Sequence, residues 1–213
     1  MNQFFKVITF FVLSFLTSQT LYGQDKYLDS LQNQLKTLTS DTAKVNLMNK
    51  INSYFLMQNP TIVLEQGKQT ILLAQKNKYP LGELVASRYV GIAYVMVSKH
   101  DSAGEYLQNA LAISRKIGNK RLEASCLGTI GNFYTDLFKK KEALESYLSA
   151  LKIAESIKDK KEEASLLCNI GSLYQKDNNI KQAEDCFRRA IQLTEGTNFF
   201  RILQMAYLNL GVV

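Results

Sequence analysis

Residues 127–134 read LGTIGNFY and residues 143–150 read ALESYLSA; forty residues on, 167–174 read LCNIGSLY and 183–190 read AEDCFRRA. Leu127, Ile130, Gly131, Tyr134, Ala143, Tyr147 and Ala150 are each answered by the same kind of side chain at that single offset. Self-similarity at a fixed period marks a stacked architecture in which each unit buries its apolar face on its neighbours. The apolar spacing inside each unit, three and four residues apart, is that of one helix face. The glycine and the small alanines are expected where two helices come too close for a large side chain. The aromatics are expected to fill the gaps between hairpins.

The ruler extends in both directions. Forty residues earlier stand Val90-Gly91 and Tyr94, then Ala103, Leu107 and Ala110. Earlier still, Tyr54 aligns with Tyr134, which puts Val63, Gly67 and Thr70 at the positions of Ala143, Tyr147 and Ala150. In that first copy Ile51 replaces the glycine and Gly67 replaces the large aromatic, so volume moves from one helix to the other. Pro60 and Pro80 suit first helical turns, where a missing N–H costs nothing. Ser40 or Asp41 is expected to cap the first of these helices and Asp101 a later one. Gly118-Asn119, Asn178-Asn179 and Gly196 are expected turns and exits. After Asn198 another helix begins, in which Tyr207, Leu210 and Gly211 match Leu127, Ile130 and Gly131.

This pattern resembles the tetratricopeptide repeat (TPR), a helical hairpin with a small residue and an aromatic on its first helix and A-x3-F-x2-A on its second. The resemblance implies an all-α solenoid of antiparallel helical hairpins, here with a period of 40 instead of the usual 34. The added length is expected in longer helices and in a longer connection between hairpins. The expected organisation is a signal peptide at 1–23, a capping helix at 24–39, and a solenoid at 40–213 of four repeats plus the first helix of a fifth. On this reading the chain is the front part of a longer protein. Repeats of this length resemble those of extracytoplasmic sensor regions in Bacteroidetes-type signalling proteins, which precede a histidine kinase or a DNA-binding output domain.

Composition narrows the function classes. Two prolines and eleven glycines in 213 residues leave room for long helices. The formal net charge is +7, but the cations are spread along the sequence with acids among them, as in Lys139-Lys140-Lys141 before Glu142. A solvated face is the expected reading, and no nucleic-acid partner is expected through this region. Cys126, Cys168 and Cys186 form no C-x-x-C and share no metal spacing with His100, the only histidine. They are expected as buried or partly buried small side chains, with a Cys168–Cys186 disulfide across one hairpin left open. His100 is expected as a polar surface residue in a turn. No phosphate-binding glycine loop and no nucleophile–base pair is readable, so neither an enzyme nor a cofactor is expected.

The first residues carry Lys6, an apolar run from Val7 to Leu16 and a more polar stretch to Gly23. That run is shorter than the roughly 20 residues of a membrane helix. It reads as a cleaved export signal, and hence as a periplasmic or extracytoplasmic location. Leu28, Leu31, Leu35 and Leu38 form one narrow apolar stripe, suited to capping the first repeat.

The TPR resemblance implies that ligand contacts come from the first helix of each repeat, at positions three before and one, four and five after the motif glycine. Carried onto this chain, these are Met48, Asn52, Phe55 and Leu56, then Arg88, Ile92, Val95 and Met96. The third repeat offers Gly128, Asn132, Thr135 and Asp136, and the fourth Cys168, Ser172, Gln175 and Lys176. The front of this candidate peptide groove is apolar and the rear polar. The expected partner is a protein or peptide, with any membrane attachment through a segment beyond residue 213. The leading expectation is the extracytoplasmic sensory or interaction region of a signal-transduction protein. The alternatives are a standalone secreted adaptor that assembles an envelope complex, and the accessory region of an enzyme whose chemistry lies beyond Val213.

Overall fold

The computed structural model describes residues 26–211, and all regular structure among them is α-helical. Helix α1 covers residues 26–37, followed by α2 (Asp41–Phe55), α3 (Pro60–Lys76), α4 (Pro80–Met96), α5 (His100–Lys116) and α6 (Lys120–Asp136). Then come α7 (Lys140–Ser156), α8 (Lys160–Lys176), α9 (Ile180–Thr194) and α10 (Phe200–Leu210). The expected signal segment and the last two residues lie outside the described residues.

The helices α3 to α8 are each 17 residues long, and the connections between successive helices from α3 to α9 are only three residues. The extra length over the usual repeat therefore sits in the helices, not in a longer connection. Each turn is closed in the same way. Lys78, Ser98, Gly118, Phe138, Lys158 and Asn178, spaced by twenty, take a left-handed backbone with φ between 51° and 70°. The next amide then reaches back to the helix: Lys99 N to Tyr94 O at 2.9 Å, Lys139 N to Tyr134 O at 2.9 Å, Asn179 N to Tyr174 O at 2.9 Å. This double closure satisfies carbonyls that the helix end would leave orphaned.

Ser40 caps α2 by accepting from Ala43 N at 3.4 Å, and Asn119 and Asp159 cap α6 and α8. Pro60 and Pro80 open α3 and α4. Asp101 is not a cap: α5 begins at His100, so Asp101 lies within its first turn. The helix expected after Asn198 starts at Phe200.

The repeated glycines are contact points between the two helices of a hairpin. A Cβ at Gly171 would stand 2.6 Å from Cε1 of Phe187, and one at Gly91 2.7 Å from Cδ2 of Leu107; Gly131 abuts the Tyr147 ring in the same manner. Ala103, Ala143 and Ala183 are fully buried at the matching crossings. Most of the buried apolar residues between Ile71 and Ala206 form one continuous cluster, as expected where every repeat shares its apolar faces with its neighbours.

First helices pack side by side: α2 touches α4, α4 touches α6, α6 touches α8 and α8 touches α10. Second helices make no such contacts with one another among the described residues. Stacking that is close on one side and splayed on the other curves the solenoid, with the first helices on its inner wall.

Candidate functional site

The rear of the inner wall is where the anticipated positions converge. Asn132, Thr135 and Asp136 from α6 and Ser172 and Lys176 from α8 line one open cavity of about 190 Å3, together with Tyr147, Asn169 and Leu173. A second cavity of about 230 Å3 shares Thr135, Leu173 and Lys176 and adds Phe138, Lys140 and Asp177. The shared lining makes them two lobes of one depression. Gln175 is half-buried on α8 and lines neither.

A ladder of polar contacts runs along this wall. The Tyr147 hydroxyl donates to Oδ1 of Asn132 at 2.6 Å, and Asn169 Nδ2 donates to the same oxygen at 3.3 Å. Thr135 Oγ1 donates to the carbonyl of Gly131 at 2.9 Å and lies 3.3 Å from the Tyr147 hydroxyl. One step on, Asn209 Nδ2 donates to Ser172 Oγ at 3.4 Å. Asn132 to Asn169 and Ser172 to Asn209 are the same relation, one residue past a motif glycine to two before the next. Burial pushes the Tyr147 phenol above its ordinary value, and its hydroxyl is the donor here because Asn132 Oδ1 can only accept. Lys140 and Asp177 form an ion pair at the mouth of the second lobe.

Sequence reasoning missed Tyr147, Asn169 and Leu173. Tyr147 occupies the motif aromatic position and was assigned to packing alone. Its ring does pack on Gly131, but its hydroxyl reaches the groove, a group that Phe187 and Leu107 lack at the equivalent places. That tyrosine-for-phenylalanine difference was the available signal.

The front positions do not gather in the same way. Asn52 is completely buried, donating from Nδ2 to Thr70 Oγ1 at 3.2 Å, and Leu56 is buried against Val63 and Ala93. The cause is the exchange at Gly67: where later repeats place an aromatic, the space is taken by Val90 and the Asn52 amide. Asn52 and Leu56 are therefore packing residues and do not face the groove. Met48, Phe55, Ile92 and Val95 are half-buried, while Met96 is exposed. Arg88 bonds through Nη1 to Ser125 Oγ and lies over the Tyr89 ring, its Nε buried without a partner among the described residues. Gly128 lies against Leu166, and Cys168 is buried.

The remaining chemistry is sparse. The three cysteines are free thiols, and burial pushes Cys126 up to about 11 and Cys168 up to about 12. They are thus neutral, packed side chains, as read from the sequence, and the open disulfide alternative is not formed. His100 is half-buried in the first turn of α5 with its ring 6.5 Å from that of Phe133, more enclosed than expected. Among the described residues no group of three or more His, Cys, Asp or Glu is placed to hold a metal ion. The all-helical repeat is consistent with a non-catalytic scaffold.

The Rap protein complexed with competence and sporulation factor superposes with a TM-score of 0.76 at 14% identity, over 92% of this chain and 62% of that one. BtubC from P. vanneervenii gives 0.71 at 17% identity, over 92% and 82%. NprR in complex with its cognate peptide NprX gives 0.62 at 23% identity, over 88% and 56%. The chain thus spans about six-tenths of the Rap and NprR structures. No curated protein matches the chain in sequence. Set against these likenesses, the expectation of an exported, periplasmic protein is not upheld. Nothing in them supports a Bacteroidetes-type sensor, a histidine kinase or a DNA-binding role. The tetratricopeptide repeat profile matches residues 83–156 and 130–196, which together span more than half of the sequence. With its glycine–aromatic crossings and paired-helix stacking, the chain belongs to the tetratricopeptide repeat family.

Proposed function

We propose that this chain is a peptide-binding scaffold whose ligand lies along the inner wall of α6 and α8. The observation that carries the reading is the depression lined by Asn132, Thr135, Asp136, Ser172 and Lys176. Amide and hydroxyl groups from successive first helices are held there in fixed orientations by Tyr147 and Asn169. An extended peptide presents a carbonyl and an N–H at every residue, and side-chain amides meet both needs. Preorganisation matters because each side chain frozen only on binding costs about 0.5–1.5 kcal/mol. Lys176 favours a carboxylate in the ligand, and the Leu173 and Phe138 surfaces favour an apolar side chain. The structures of Rap and NprR with their peptides, at low identity, are in keeping with this class of ligand.

The test is selection of peptides from a displayed random library on the purified chain, followed by calorimetric titration of those recovered. Asn132→Ala and Lys176→Ala are expected to weaken them at least ten-fold. Recovered peptides that bind both variants as tightly as the unaltered chain would show that the groove is not the binding surface.

A further inference from the structure

Given the peptide-binding reading of the groove, on which this rests, we infer that Asp136 takes a cation of the ligand. The groove then reads a basic group, an acidic group and an apolar side chain, in that order.

Asp136 is the last residue of α6. The carbonyl end of a helix carries partial negative charge, so an acid there weakens its own helix, whereas a lysine strengthens it. The equivalent positions of the other three repeats hold Leu56, Met96 and Lys176, so the repeat does not call for an acid. Lys176, at the end of α8, suits the helix that bears it. Asp136 does not, and it forms no ion pair among the described residues. Of the three lysines on the following turn, Lys139, Lys140 and Lys141, none pairs with it, and Lys140 pairs instead with Asp177. An acid that weakens its helix and lacks an internal partner breaks a local rule with no structural gain, as functional positions do.

The side chain stands where a ligand would meet it. Asp136 lies one helical turn past Asn132 and lines the first lobe together with Lys176. Tyr147 is raised chiefly by burial and also by the Asp136 charge, which puts that carboxylate within electrostatic reach of the hydroxyl bound to Asn132. The Asn132 oxygen already accepts from Tyr147 and Asn169, which occupies both its lone pairs. Asp136 is left as the charged acceptor of this lobe.

The two lobes set the order. Asp136 lines only the first, Lys176 lines both, and Phe138 lines only the second. The other charges of the depression, Lys140 and Asp177, neutralise each other. A ligand cation at Asp136, a carboxylate at Lys176 and an apolar side chain against Phe138 therefore follow one another. The cation is an ammonium or guanidinium, from a basic side chain or from the free N-terminus of the peptide.

The experiment selects a displayed random peptide library separately on the unaltered chain, on Asp136→Asn and on Asp136→Lys, and titrates the recovered peptides on each. Those from the unaltered chain are expected to carry a basic group beside an acidic one. They should bind Asp136→Asn about three- to five-fold more weakly, as for an exposed ion pair, and Asp136→Lys more weakly still. Selection on Asp136→Lys should yield an acid in place of the base, and added salt should narrow the gap between the unaltered chain and Asp136→Asn. Exchanging the lysine or arginine of the peptide for glutamine, or acetylating its N-terminus, should reproduce the loss, whichever group supplies the cation. Asp136→Asn should meanwhile melt about 1–3 °C higher, because the anion has left the helix end. A lower melting temperature would show that the carboxylate serves the fold, and would overturn the inference. So would peptides that lose nothing on either exchange while Asn132→Ala and Lys176→Ala still weaken them, for the groove would then bind peptides without reading a cation. If those two variants bind undiminished as well, the groove is not the binding surface, and the inference falls with that reading.

Discussion

The Tyr147 hydroxyl donates to Asn132 Oδ1 across 2.6 Å, linking the second helix of the third repeat to the wall of the groove. A residue whose ring fills the hairpin thereby sets the orientation of a side chain facing the ligand. The fourth repeat shows that phenylalanine fits this crossing, since Phe187 packs on Gly171. Tyr147→Phe should therefore keep the fold, losing about 0.5–1.5 kcal/mol for one hydrogen bond. It should weaken the groove ligand several-fold by freeing the Asn132 amide. Urea denaturation together with peptide titration separates the two effects. A loss of stability without a loss of affinity would mean that Asn132 needs no such support.

The glycine crossings predict a different failure. At Gly171 an added methyl meets the Phe187 ring, and both partners are buried. Overpacking of this kind costs about 1–3 kcal/mol, against a gain of roughly 1 kcal/mol in helix propensity. Gly171→Ala should therefore destabilise the chain by up to about 2 kcal/mol, the difference of those two effects. Gly171→Ala combined with Phe187→Leu should recover part of the loss. Thermal unfolding of the single and double variants checks this; a stabilised single variant would show that α8 and α9 can separate freely.

The seven-position pattern made the hairpins, their order and the rear of the groove legible, because those features depend on residues at one offset. Less legible was anything that depends on a neighbour out of register. Asn52 turned inward because Gly67, on another helix, left room for it. Asn169 joined the site by reaching a side chain 37 residues away, a relation set by how the first helices stagger. The turn geometry was hidden too, since Lys78, Ser98, Phe138 and Lys158 adopt a left-handed backbone without being glycine. Only the repeating Schellman-type closure explains why those positions tolerate it.

Arg189 carries another long-range relation. Its Nη2 lies 2.5 Å from Glu155 Oε1 and 2.5 Å from Glu163 Oε1, holding two carboxylates at the junction of the third and fourth repeats. The equivalent pairs at the earlier junctions are Gln75 with Glu83 and Arg115 with Glu123, which attract without help. At the third junction the pair is like-charged and Arg189 is the substitute cation. Arg189→Ala should cost about 1–2 kcal/mol, and Glu155→Arg on that background should restore much of it by recreating the second junction. Denaturant midpoints of the two variants give the answer, and an additive loss would refute the equivalence.

Acid should reveal two glutamates of opposite behaviour. Hydrogen bonds from Lys120 and Arg115 hold Glu123 below its ordinary value, 2.8 Å and 3.1 Å away. Burial raises Glu162, with the Asp159 charge adding to it. A depressed folded-state value means that Glu123 stabilises the chain above the ordinary carboxylate range, and that this is lost as pH falls through the lower value. A raised value has the reverse sign: the charged form of Glu162 penalises the fold at neutral pH, and the penalty disappears once the group is protonated. Glu123→Gln should thus lower the melting temperature at pH 7 and bring the curve close to that of the unaltered chain in strong acid. Glu162→Gln should raise it at pH 7, with the advantage vanishing on acidification. Melting temperatures measured between pH 3 and pH 7 test both signs at once, and parallel curves would show that neither carboxyl changes its affinity for protons on folding.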